Sequence, residues 1–121
     1  MTNQIVWCDI PVKNLDRAVK FYSGLLGAKV EKHTVEGMSF GLLPTAGECV
    51  SGCLVIDDDA KPSTDGPMIY VNCDGRLPLA IASVELNGGK ILKGRHSIGP
   101  HGFRAVVVDS EGNRIALHAM S

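Results

Sequence analysis

The chain has 121 residues, 45% apolar and 21% charged, with a formal net charge of −1. That length fits one domain with a real hydrophobic core, and the charge balance excludes nucleic acid as the main partner, because phosphate binding needs clustered Lys and Arg. No apolar run is long enough to span a bilayer, so no membrane partner is expected.

The opening stretch MTNQIVWCDIPV has no basic start followed by a long apolar run. No signal peptide is therefore expected, and the cytoplasm is the expected location. The stretch WCDIPVKNLDRAVKFYSGLLGAKV, residues 7–30, starts as an alternating strand and continues as an amphipathic helix. Asn14 is a good helix N-cap, and Leu15, Ala18, Tyr22, Leu25 and Leu26 make one apolar face. Gly27 is the expected stop. Strands are expected at about 29–35, 39–44 and 50–56.

The segment DDDAKPSTDGP, residues 57–67, is acidic and rich in Pro, Ser and Gly and reads as a surface linker. Beyond it, MIYVNCDGRLPLAIASVELNGGKIL, residues 68–92, repeats the order of elements seen in 7–30, at an offset of roughly half the chain. Its helix is expected from about Leu77 to Asn87, with Leu77, Ala80, Ile81 and Val84 inside. Strands follow at about 90–97, 103–109 and 114–119, the last two joined by the turn Asp109-Ser110-Glu111-Gly112-Asn113. The expected fold is thus α+β. Two tandem βαβββ modules, about 1–57 and 67–121 within a single domain, form a curved, cup-like mixed sheet with the helices on its outer face.

Strand alternation divides the first strand of each half and the last strand into two faces. Trp7, Asp9 and Pro11 fall on the cup side of the first strand. Met68, Tyr70 and Asn72 do so on the equivalent strand of the second half, and Ala116 and His118 on the last. Two aromatic rings, a thioether, a carboxylate, an amide and an imidazole then line a pocket suited to a small organic ligand. Asp9 is either paired for structural reasons or orients a ligand or acts as a base, because a carboxylate on a strand interior needs a partner. His118 is a hydrogen-bonded structural residue, a base or an off-pattern ligand. His33 reads as a solvated edge residue. The stretch GRHSIGPHGF, with His96 and His101, reads as a rim loop, and a metal pair there shows no third partner. Cys8, Cys49, Cys53 and Cys73 read as reduced, buried thiols, with a redox or metal thiol site as the alternative. No nucleophile elbow, phosphate-binding loop or His-Glu-x-x-His occurs.

Three stretches together resemble the vicinal oxygen chelate superfamily, the group of glyoxalase I, bleomycin-resistance proteins, fosfomycin-resistance enzymes and extradiol dioxygenases. They are IPVKNLDRAVKFYSGLLGAKV, IYVNCDGRLPLAIASVELNGGKIL and GPHGFRAVVVDSEGNRIALHA. The resemblance implies a divalent metal in the cup that stabilises an enolate-like intermediate. It would be held by residues on the first strand of each half and on the last strand. Those positions here are Trp7, Met68 and Ala116, none of them a plausible ligand. The expectation is therefore a glyoxalase/bleomycin-resistance-like protein with no metal and no other cofactor. It would bind a small planar or amphipathic molecule through Trp7, Asp9, Met68, Tyr70, Asn72, Ala116 and His118. One alternative is a lyase- or dioxygenase-like enzyme with an off-pattern centre at Asp9 and His118. Another is a structural or regulatory dimer whose cup is filled by side chains. The resemblance also implies a homodimer, since unpaired sheet edges invite partners.

Overall fold

In the computed structural model, residues 3–47 and 49–121 are described. Strand β1 (Trp7–Pro11) leads into helix α1 (Leu15–Leu26), followed by β2 (Glu31–Val35), β3 (Met38–Leu42) and β4 (Ser51–Val55). The second half repeats the order with β5 (Ile69–Asn72), α2 (Leu77–Leu86), β6 (Lys90–Ser97), β7 (Phe103–Val108) and β8 (Arg114–Ala119), plus a short 3-10 turn at Gly99–His101. Each half makes one four-stranded sheet, in the orders β1-β4-β3-β2 and β5-β8-β7-β6. The first strand of each half pairs parallel with the last, and the other pairings are antiparallel. Both sheets are mixed, and the doubled βαβββ plan is present in full.

Local chemistry explains the first helix. The Asn14 side chain accepts from the Arg17 N–H at 3.0 Å, and Gly27 ends the helix at φ 65°, where a residue with Cβ is strained. Its inward face holds Leu15, Ala18, Phe21, Tyr22 and Leu25. Phe21 joins that face where Leu26 was expected, and Leu26 is only partly buried. Helix α2 differs. It has no side-chain N-cap, and Pro78 sits in its first turn. Leu77, Ala80 and Val84 face inward, while Ile81 is only partly buried.

One apolar cluster joins the halves. Ile10, Phe21, Tyr22, Leu25 and Leu54 from the first meet Val71, Leu77, Val84, Val107 and Ile115 from the second. The helices lie against each other. Gly24 permits this approach, because a Cβ there would stand 2.6 Å from the Asn87 amide nitrogen. The linker 57–67 is largely exposed but not loose. The Ser63 N–H donates to Asn113 Oδ1 at 3.3 Å, and its carbonyl accepts from the Arg114 N–H at 3.2 Å.

The turn after β7 is more than a hairpin closure. Asp109 Oδ1 accepts the backbone N–H groups of Glu111, Gly112 and Asn113 at 2.8 to 2.9 Å. Its Oδ2 accepts the Tyr22 hydroxyl at 2.5 Å. Glu111 reaches across to the other half, where Oε1 accepts the backbone N–H groups of Lys13 and Asn14, both at 2.8 Å. Arg17 donates to it through Nε at 2.7 Å and Nη2 at 3.0 Å. Asn113 Nδ2 donates to the Pro11 carbonyl at 2.8 Å. The turn thus clamps the start of α1.

Candidate functional site

The alternation on β1 and β5 follows the expected faces, whereas on β8 Ile115, Ala116 and Leu117 are all buried. Cys8, Ile10 and Val12 are more buried than Trp7 and Asp9, and Val71 and Cys73 are buried beside exposed Tyr70 and Asn72. Residues opposite one another in a ladder share a face. Tyr70 lies across from Ala116, Asn72 across from His118, His118 across from Arg104, and Arg104 across from His96. Four neighbouring strands therefore contribute to one patch. Register shifts on either side of Lys93 break the simple alternation of β6, and these irregularities re-aim His96.

The patch is tied together by directed bonds. Arg104 Nε donates to His96 Nε2 at 3.0 Å, and Arg104 Nη1 donates to the Tyr70 hydroxyl at 2.5 Å. Because His96 Nε2 accepts, its Nδ1 carries the hydrogen, which goes to the Gly94 carbonyl at 2.8 Å. His118 Nε2 donates to the His101 carbonyl at 2.6 Å. The Tyr70 and His118 rings stand 6.1 Å apart between centroids. Tyr70, Ile98, His101 and His118 line an open recess of about 420 Å³.

A second cavity of about 270 Å³ lies at the seam between the half-sheets, lined by β1, β8 and the linker. Its Asn113 amide is committed to the Pro11 carbonyl and Asp109, and Ser63 is tied down by Asn113. Asp9, Lys61, Asp65 and Arg114 also line the seam cavity, while the recess brings together two of the expected ligand-binding residues, Tyr70 and His118, and is the candidate site.

The expected site residues separate into two groups. Tyr70, Ala116 and His118 come together on adjacent strands of the second sheet, although Ala116 is fully buried and contributes only its methyl group. Asn72 is on the same sheet, but its Oδ1 accepts from the Asp74 N–H at 2.9 Å. Met68, just before β5, is half-buried. Trp7, which is 45% exposed, and Asp9 belong to the first sheet. Among the described residues Asp9 makes no hydrogen bond or ion pair with Arg or His. Its Oδ1 accepts the Cys53 thiol at 3.3 Å. Burial, followed by the Asp9 hydrogen bond, pushes the Cys53 thiol up, so it stays protonated at neutral pH. Asp9 and His118 share no hydrogen bond and line different cavities.

Other expectations also find their places. His33 lies on edge strand β2, half-buried and stacked on Phe40 at 5.7 Å rather than fully solvated. Cys8, Cys53 and Cys73 are half-buried or buried, but Cys49 is exposed, which corrects the expectation that all four are buried; all four are free thiols. The loop around Gly99–His101 does border the recess. Arg104 was missed, because no face was assigned to β7 from sequence. Its signal is the alternation Phe103-Arg104-Ala105-Val106-Val107, in which Ala105 and Val107 are the buried positions.

The metal that the resemblance implies does not fit this donor set. An indole, a thioether and a methyl group stand at Trp7, Met68 and Ala116, and hard or borderline divalent ions want oxygen or imidazole donors. Among the described residues no three His, Cys, Asp or Glu side chains converge.

Comparison with known proteins agrees with the doubled plan. A family model described as the Glyoxalase/Bleomycin resistance protein/Dioxygenase superfamily matches residues 4–117. The chain is similar to a Glyoxylase-like domain-containing protein of Didymella fabae, 31% identical over 119 residues, spanning 94% of this chain and 91% of that one. Among solved structures, a glyoxalase/bleomycin resistance protein from Albidiferax ferrireducens superposes with a TM-score of 0.74 at 15% identity, over 97% of this chain and 98% of that one. The trypanothione-dependent glyoxalase I of Leishmania major superposes with a TM-score of 0.65 at 23% identity, over 98% of this chain and 88% of that one. The two superpositions speak for the fold alone. On the family match and the Didymella relative, the chain belongs to the Glyoxalase/Bleomycin resistance protein/Dioxygenase superfamily, the vicinal oxygen chelate group that its sequence resembles.

Proposed function

We propose that this protein binds a small planar or amphipathic molecule in the recess of its second sheet, without the metal usual in its superfamily. The observation that carries the reading is the recess itself. Its volume of about 420 Å³ lies in the range of about 300–1,000 Å³ typical of small-molecule sites, and it is flanked by the Tyr70 and His118 rings. The recess favours a ligand site over a cup filled by side chains. The rival acid–base centre at Asp9 and His118 gains no support from their separate settings.

The test is calorimetric titration of the untagged protein with a panel of planar aromatic compounds, alongside Tyr70→Ala and His118→Ala. Saturable binding that weakens in both variants supports the reading; no binding across the panel overturns it. Metal analysis after chelator-free purification is expected to find well below one metal ion per chain. A stoichiometric metal would refute the metal-free part.

The four free thiols fit a reducing compartment, which supports a cytoplasmic location. No described helix is long and apolar enough to cross a membrane. Strands β2 and β6 stand at sheet edges, and a second copy of the chain is the partner this reading proposes for such edges. Light scattering should then give twice the chain mass.

A further inference from the structure

We infer that the ligand of this recess carries an oxyanion, a carboxylate or phosphoryl group, held by Arg104; this rests on the binding reading above. The strands of the second sheet bear Lys90, Lys93, Arg95, Arg104 and Arg114, and no Asp or Glu. The strands of the first sheet bear Asp9 and Glu31 against Lys32 alone. In a chain of net charge −1, positive charge is thus concentrated on one sheet.

Two of these cations are turned to other contacts. The Arg95 guanidinium lies 3.9 Å over the Phe103 ring, and Arg114 Nη2 reaches the Gly66 carbonyl at 3.5 Å. Arg104 is different, because its partners aim it without neutralising it. His96 and Tyr70 are both uncharged acceptors, one at Nε and one at Nη1. No ion pair among the described residues involves Arg104, and its Nη2 has no hydrogen-bond partner among them. Pinning the His96 tautomer through Gly94 holds the guanidinium in place from the far side. A half-buried guanidinium that is oriented but uncompensated favours an anion with two oxygens, because the planar fork matches carboxylate and phosphate geometry. Arg104 stands outside the lining itself, but its neighbour Tyr70 forms a wall of the recess, so an acid substituent reaching past the Tyr70 hydroxyl from a planar body beside Tyr70 and His118 would meet the guanidinium.

The experiment compares 2-naphthoate, 2-naphthyl phosphate and neutral 2-naphthamide on the full chain by calorimetry at one fixed ionic strength. At least one of the two acids is expected to bind about ten-fold or more tightly than the amide. Which acid binds more tightly tells a carboxylate site from a phosphoryl site. In Arg104→Gln the preference is expected to fall to within about two-fold, and in Arg104→Lys, which keeps charge without the fork, to an intermediate value. Arg95→Gln should keep the full preference. Melting curves establish that each variant is folded, and Arg104→Lys serves if Arg104→Gln is not. If acids and amide bind equally well, the inference falls and the binding reading stands. A preference that persists in Arg104→Gln also overturns it, because diffuse attraction to the sheet would then be the cause. If none of the three probes binds at all, the binding reading fails and takes the inference with it.

Discussion

Helices α1 and α2 occupy equivalent places in the two half-units, yet they are held in opposite ways. Both ends of α1 are finished by side chains from the other half. Glu111 takes the free N–H groups at its start, and Arg76 donates to the Leu25 and Gly24 carbonyls at its end, each at 3.3 Å. A carboxylate at the N-terminus and a guanidinium at the C-terminus both complement the helix dipole. Helix α2 receives neither: it has no side-chain N-cap, no acidic residue in its first turn and no basic residue in its last, where Glu85 stands instead. It is apolar almost all round, so burial alone keeps it in place, and Leu79 and Leu86 remain exposed at 63% and 82%. The lesson is that repeating the order of elements does not repeat the energetics. The second half supplies polar clamps, the first half receives them, and the second sheet keeps most of the strand cations, of which Arg104 is bonded to a wall of the recess.

The strongest way to break this asymmetry is Glu111→Ala. The Glu111 side chain is fully buried, and its loss strands the Arg17 guanidinium and two backbone donors. Removing one partner of such a network should destabilise the fold by about 3 kcal/mol or more, read from denaturant midpoints. A smaller effect follows from pH. Burial pushes the Glu111 carboxyl up, but the Arg17 guanidinium, the Asn14 N–H, the Ser110 hydroxyl and the Lys13 N–H outweigh it and hold it at about 2. Because the folded value lies below the ordinary 4.5, the stabilisation is complete above that pH and is lost as pH falls toward 2. It is worth about 2–3 kcal/mol, and Glu111→Gln should flatten the acid limb of the stability profile. A limb unchanged in that variant would contradict this assignment.

Tyr22→Phe removes the hydroxyl that donates to buried Asp109 and should cost about 1–3 kcal/mol. Burial, then the Asp109 charge, holds the Tyr22 phenol well above its ordinary value, so this donor persists at any mildly alkaline pH. At the other end of α1, Arg76→Ala should cost about 1 kcal/mol, because two exchangeable carbonyl contacts and a dipole interaction are lost. Least of all, Leu86→Lys on the open side of α2 should change stability by less than about 0.5 kcal/mol. A large loss there in a monomeric preparation would show that this face of α2 is packed against something after all.

Much of this architecture was legible in the residues. The helix cap at Asn14, the stop at Gly27 and the alternation on β1 and β5 all act between near neighbours, where spacing is enough. The last strand, 114–119, was placed at its observed bounds. The candidate site was legible only in part. Tyr70 and His118 could be put on one face by parity, but Arg104 joins them through the β7–β8 register, and His96 enters through irregularities in β6 that parity does not foresee. Asp9 carries no sign in the sequence that its partner is Cys53.

The sequence by itself determined the order of elements, the doubled plan and which side of each regular strand faces inward, since these follow from local propensity and a period of two. It also determined that Trp7, Met68 and Ala116 offer no oxygen or imidazole donor to a divalent ion, which is a matter of side-chain chemistry alone. Only the tertiary structure decided that Glu111 caps a helix 97 positions away, that Asp9 bonds Cys53 while His118 lines a different cavity, and that Arg104, with no ion pair among the described residues, meets Tyr70 and His96 beside a recess. Those outcomes depend on register between strands distant in sequence and on the docking of one half against the other, and no local spacing encodes either.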